Sequence, residues 1–120
     1  LYQAVPNFVE IPSELSGVPC RILAMAGKWF PTGCHKVGAS FGCLAPRLVT
    51  RPVRATYHHA VWPSTGNYCR GGAFNSKLLA VDSVAILPAE MSKERFDWLS
   101  KIAGQVIATP GLRVQRQGDF

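Results

Sequence analysis

From Val53 the chain alternates strictly. Val53, Ala55, Tyr57, His59 and Val61 fall on one side, and Arg54, Thr56, His58, Ala60 and Trp62 on the other. A period of two is that of a strand with one apolar face, and it turns His59 towards the apolar side. The small polar run Pro63-Ser64-Thr65-Gly66-Asn67 predicts a turn, "YCRGGAF" a returning partner strand, and "KLLAVDSVAIL", 77–87, the most strand-like segment of the chain. "CRILAM", 20–25, reads as a buried strand and "LRVQR", 112–116, as a last edge strand after Pro110 and Gly111.

The pattern changes to a helical period in two places. Ser92 is suited to cap a helix with Glu94 in its first turn and an apolar stripe of Phe96, Leu99, Ile102, Ala103 and Val106, while Asp97 and Lys101 stand four apart on the wet side. Val37, Phe41 and Leu44, spaced 4 then 3, suit a short helix from Cys34 to Leu44 that Pro46 stops. Pro6, Pro12 and Pro19 keep residues 1–19 an extended arm, with "NFVEI" as a short edge strand. Together these elements predict a single domain over residues 1–120 of the α+β class: a small, mostly antiparallel sheet, one long C-terminal helix and a short one.

Composition bounds this picture. The 120 residues, 48% hydrophobic, suffice for one small core. The apolar run around Val84–Leu87 is far shorter than the roughly 20 residues of a membrane-spanning helix. No segment has the basic-then-apolar order of a signal peptide, and Leu1 as first residue suggests a piece of something longer.

Charge says more. The net charge is +6, and no carboxylate occurs between Glu14 and Asp82, an interval that holds Arg21, Lys28, Lys36, Arg47, Arg51, Arg54, Arg70 and Lys77. Such a segment carries a positive field that attracts polyanions. It also excludes paired-carboxylate chemistry of the glycosidase or aspartic-protease kind. "GKWFPTG" lacks the spacing of a nucleotide-binding loop, which leaves Lys28 an ordinary lysine. Cys20, Cys34, Cys43 and Cys69 could form two disulfides in a secreted effector or toxin, but their apolar settings favour free thiols and a reducing cytoplasm. Cys34, His35, Cys43, His58, His59 and Cys69 lack the close paired spacing of a zinc site, so no metal and no cofactor is called for.

Two functional readings remain. In the first, Cys34 is a nucleophile at the head of the short helix, His59 its base, and Asn67, Asn75 or Asp82 the orienting third group, with Asn67 the preferred member. "CHKVGASFGCLAP" followed by "YHHAVWPSTGN" resembles NlpC/P60-type papain-like thiol hydrolases. The His-containing stretch also resembles the H-box of lecithin:retinol acyltransferase-like proteins, including the 2A proteins of some picornaviruses. The resemblance covers about 35 residues and implies cysteine-dependent acyl or amide chemistry, with a degenerate site and a viral origin among what it suggests. The Cys-to-His interval is shorter than in those hydrolases, and the Asn-Cys box of the acyltransferase branch is absent.

In the second reading the domain is no enzyme. It is a basic module for RNA or a protein partner, with Arg47, Arg51, Arg54 and Arg70 interleaved with Tyr57, Trp62 and Tyr68 in the manner of single-strand binders.

Overall fold

The computed structural model describes residues 7–50 and 53–110. In chain order its elements are β1 (Phe8–Ile11), α1 (Ser13–Ser16), β2 (Ile22–Met25), a 3₁₀ turn (Gly27–Trp29), α2 (Lys36–Val49), β3 (Ala60–Pro63), α3 (Asn67–Leu78), β4 (Ser83–Pro88), α4 (Lys93–Leu99) and β5 (Gln105–Thr109). β1 and β2 form an antiparallel pair with Phe8 opposite Met25 and Ile11 opposite Ile22. The other three strands make a parallel sheet ordered β3-β4-β5, with Trp62 opposite Ala85 and Ala85 opposite Val106.

The α+β class holds, but the larger sheet is parallel where the turn at 63–67 had suggested antiparallel return. The reason lies in "NYCRGGAF". This segment is the body of α3 rather than a strand, and a helix between two strands carries the chain back across the sheet so that they run the same way. Residues 53–59 likewise form bends and turns, and only 60–63 pair as a strand. Leu78 ends α3, so the long strand expected from Lys77 begins at Ser83.

Helix α2 runs beyond its expected end. Pro46 lies inside it, and the Pro46 carbonyl takes the Thr50 amide at 2.9 Å and the Thr50 hydroxyl at 2.8 Å. Proline costs one backbone bond, but Leu44 and Leu48 on both sides of it pack on the core and hold the last turn. Helix α4 is shorter than expected and stops at Leu99, because the chain needs a turn before Val106 can join β5. Ile102 and Ala103 still reach the core from that turn, their amides bonded to the Leu99 carbonyl. The expected arm is partly structured, with β1 and the single turn of α1 inside it, while the β2 strand expected to be buried is mostly exposed. The edge strand expected at 112–116 lies outside the described residues.

One face of the parallel sheet is closed. Trp62, Ala85, Leu87 and Leu99 are buried there together with Cys69 and Ala73 of α3, and Phe96 and Val106 pack against them. The opposite face carries Val61 and Ile107, 54% and 38% exposed, with Val84 and Ile86 half-buried between them.

Helix α3 meets its neighbours so closely that side chains are excluded. A Cβ on Gly71 would stand 2.8 Å from both the Lys36 carbonyl and the Ser40 hydroxyl, and 2.9 Å from Val37 Cα. A Cβ on Gly72 would overlap the Trp62 indole. Around this contact the buried polar groups are satisfied. Asn75 Nδ2 donates to the Val37 carbonyl at 2.7 Å and to Ser40 Oγ at 2.8 Å, and Trp62 Nε1 donates to Ser76 Oγ at 3.0 Å.

Gly71→Ala is the direct test of this packing. Alanine gains about 1 kcal/mol of helix propensity over glycine, but the added methyl meets mainly backbone, which cannot yield, and overpacking of that kind costs about 1–3 kcal/mol. Denaturant unfolding is expected to show net destabilisation; a stabilised variant would mean that α2 and α3 are not in contact in solution. Leu87→Ala, a truncation at a fully buried position, is expected to cost about 2–5 kcal/mol.

Candidate functional site

The turn from Gly27 to Gly33 folds back on itself, with the Phe30 amide bonded to the Gly27 carbonyl and the Gly33 amide to the Phe30 carbonyl. It faces the first turns of α3 across a cleft of about 410 Å³ walled by Lys28, Phe30, Pro31, Thr32, Asn67 and Arg70. Thr32 is buried and Asn67 exposed. The two cations among these residues have no carboxylate beside them in the wall.

Arg70 is held by its surroundings. Its guanidinium lies 4.5 Å from the centre of the Trp98 ring, and its Nε is enclosed without a hydrogen-bond partner. A buried donor left unmatched costs about 1–3 kcal/mol. Lys28 Nζ lies 5.0 Å from the Trp29 ring centre.

The loop leading into α3 is held by Arg95. Gly66 has φ 148° and ψ −66°, a backbone state closed to side chains, and the Arg95 guanidinium occupies the space a Cβ would take. Arg95 in turn donates to the Thr65 carbonyl and fixes the loop from α4. The first closing bond of α3 is Arg70 N–H to the Gly66 carbonyl, so the amides of Asn67, Tyr68 and Cys69 precede it at the positive end of the helix. The Cys69 thiol donates to the same carbonyl at 3.1 Å, and burial pushes its pKa up.

The residues singled out in the sequence are distributed as follows. Cys34 is half-buried just before α2, and the imidazole near its Sγ is that of His35, at 3.8 Å. His59 is exposed in the segment preceding β3, not on an apolar face, and His58 bonds back to Arg54. Asn67 opens α3, and no described hydrogen bond joins it to Cys34 or His59. Asn75 is a core residue that ties α3 to α2.

Of the basic set, Arg47 and Arg54 are exposed, Arg51 lies outside the described residues, and Arg70 turns to the cleft. Trp62, 6% exposed, is core. Tyr68 meets it edge-on with ring centres 5.5 Å apart and donates its hydroxyl to Cys43 Sγ at 3.2 Å; that bond, then burial, raises the phenol's pKa. Among the described residues no group of three or more His, Cys, Asp or Glu side chains is placed to hold a metal. Reading the chain alone missed Thr32 and gave Lys28 and Lys36 no role. The available signal was the pairing of two short Gly-containing turns, "PTG", which Cys34 and His35 separate from α2, and "STGN", whose Asn67 opens α3.

No family model matches the chain, and no curated protein sequence matches it. Solved structures do. The fold matches an O-acetylserine-dependent cystathionine beta-synthase from Helicobacter pylori with a TM-score of 0.72 at 18% identity, covering 88% of this chain and 35% of that one. A pyridoxal 5'-phosphate-dependent aspartate racemase matches with a TM-score of 0.72 at 19% identity, covering 88% and 32%. A hydrogen sulfide-producing enzyme from Fusobacterium nucleatum matches with a TM-score of 0.71 at 18% identity, covering 88% and 35%.

These matches overturn the resemblance to NlpC/P60 and H-box papain-like proteins, and with it the cysteine acyl or amide hydrolase reading and the viral assignment. The physical source of the error is the "HHAVWPSTGN" stretch. It resembles a strand running from a histidine into a hairpin turn, whereas here β3 starts after the histidines and the turn opens a crossover helix.

Cys69 supplies a test of the loop. Its thiol ionises at higher pH in the fold than in the unfolded chain, so its contribution to stability is present below the ordinary thiol range and is lost as pH rises through the folded value. At about pH 8 alkylation is expected to take exposed Cys20 and Cys43 first and to reach Cys69 only on unfolding. Cys69→Ser is expected to lessen the alkaline loss of stability; equal labelling of Cys69 and Cys20 would contradict the buried placement. The chain has the fold of about a third of the length of these three enzymes.

Proposed function

We propose that this chain supplies part of the cofactor site of a pyridoxal 5'-phosphate-dependent enzyme acting on amino acids, with Lys36 as the amine that holds the cofactor. The carrying observation is the placement of Lys36. It is the first residue of α2, three positions after Gly33 closes the turn that walls the cleft, and its carbonyl lies against Gly71 in the first half of α3. The fold shared with a pyridoxal 5'-phosphate-dependent racemase supports this reading.

The residues suit such a group. Its phosphate and ring oxygen are anionic, and the chain offers Lys28, Arg70, the Asn67 side chain and the free amides at the start of α3. When bound, the cofactor would supply an electron sink for charge developing on a substrate carbon beside an amine. The chain's own part is positioning. Gly66 lets the loop turn its amides towards an oxyanion, Asn67 adds a side-chain donor, and the Phe30–Pro31 wall limits water. Lys28 is engaged over Trp29, whereas Lys36 is exposed at the helix head, its Nζ without a hydrogen bond or ion pair among the described residues.

Limiting pyridoxal 5'-phosphate followed by borohydride reduction fixes any lysine adduct for peptide mapping. Lys36 is expected to carry the label ahead of exposed Lys77, Lys93 and Lys101, with the label lost in Lys36→Arg and kept in Lys93→Gln. Labelling spread evenly over the lysines would refute the assignment.

A further inference from the structure

We propose that Arg95, which lies outside the cleft wall, is a positioning residue that sets how tightly an anion is taken at the head of α3, acting through the Ser64–Gly66 turn and not by contact. The reading of that anion as a cofactor or substrate group rests on the function proposed above, but the geometry involves neither Lys36 nor the Arg70 side chain. The turn leaves β3 with the Ser64 amide bonded to the Ile86 carbonyl at 3.0 Å and enters α3 with the Gly66 carbonyl taking the Arg70 amide at 2.9 Å. Between these anchors the Thr65 carbonyl is taken by the Arg95 guanidinium, 30 residues further along the chain.

Gly66 and Arg95 interlock. A Cβ on Gly66 would stand 3.0 Å from Arg95 Cζ and 3.1 Å from its Cδ, so the side chain can lie along this turn only because position 66 has none of its own. The carbonyl and the amide of a trans peptide unit point in opposite directions. Drawing the Thr65 carbonyl towards Arg95 therefore turns the Gly66 amide the other way, where it donates to Ser64 Oγ at 3.1 Å. It also keeps a carbonyl oxygen from swinging towards the amides of Asn67, Tyr68 and Cys69, where its negative end would repel an anion.

Filling space does not account for an arginine here. Among the described residues no carboxylate pairs with Arg95, and its other partner is the weakly accepting Met91 Sδ at 3.4 Å. The side chain is half-buried, where an apolar group of similar length would fill the same space without desolvating a charge. What arginine adds is a donor for the Thr65 carbonyl and a positive charge near the helix head. Burial raises the pKa of the Cys69 thiol, and the charge of Arg95 is among the influences that oppose the rise, which puts it within electrostatic reach of the first turn of α3.

Binding is followed on the intact chain by calorimetry and through the backbone amide resonances of Asn67, Tyr68 and Cys69. Inorganic phosphate and acetate are the separate probes, one for the cofactor's anionic chemistry and one for a substrate's. At least one is expected to shift these resonances saturably in the wild type. Arg95→Met, which keeps the bulk and loses donor and charge, is expected to weaken that binding about tenfold or more, as loss of a charged hydrogen bond does, and Arg95→Lys to recover part of it. n-Propylguanidinium is expected to restore affinity in Arg95→Ala and to leave the wild type unchanged, a rescue that a space-filling role would not show. Wild-type affinity in Arg95→Met would refute the proposal, as would a loss of affinity that follows a lowered melting temperature and that no guanidinium restores. Failure of both probes to shift the three amides in the wild type would also refute it, whatever the Lys36 labelling shows. Arg95-dependent binding in a chain whose Lys36 takes no label would strike the cofactor reading and leave the positioning role standing.

Discussion

The contact of α2 with α3 at Gly71 sets the geometry of everything around it. Two helices normally lie 8–10 Å apart because side chains keep them there. Here a missing Cβ lets the Lys36 carbonyl and Val37 Cα approach the α3 backbone directly, and Asn75 then bonds to the Val37 carbonyl and Ser40. Since the contact is made by backbone, it fixes the start of α2 relative to the start of α3 with little freedom to slide. One residue on, Gly72 does the same for Trp62, so β3 is locked to the same helix.

This arrangement has a consequence for the cleft. The 27–33 turn leads within a few residues into α2, and Asn67 and Arg70 lie on α3, so the two walls are carried by the two helices that Gly71 joins. Helix α4 secures the far side. Trp98 supports the Arg70 guanidinium, and Arg95 fixes the loop carbonyl of Thr65. Charged side chains that would otherwise sample many rotamers are thereby held by an indole ring and a backbone oxygen, which reduces the ordering entropy a ligand must offset on binding.

What the sequence disclosed follows the same division. Segments whose own residue pattern is regular were legible: the strand character of β4, with Ser83, Ala85 and Leu87 buried in alternation, and the helix after Ser92. α3 was not legible, because two adjacent glycines and a run of small residues argue against a helix by propensity. Its stability comes from close approach to Trp62 and α2, contacts that join positions far apart in the chain. The error spread outward: with α3 read as a strand, the sheet became antiparallel and "PSTGN" became a hairpin turn. The period-two pattern predicts an apolar face for His59, but the chain does not convert it into strand, since among the described residues no strand pairs with 53–59.

The carboxylate gap was legible from the start, yet its meaning depends on the fold. Read as composition, it suggests a long positive surface for a polyanion. In the structure the cations separate: Arg47 and Arg54 lie on the exterior, while Lys28 and Arg70 converge on one cleft. A carboxylate in that wall would offset the charge of Lys28 and Arg70, whereas a carboxylate on the exterior would have no such effect. The segment that builds the cleft contains none in either place, while Glu10, outside it, takes Arg21 as its partner at 2.7 Å and has its pKa lowered by that bond. Ion pairing thus satisfies a cation at the hairpin, while the described cleft wall holds its two cations with no carboxylate beside them.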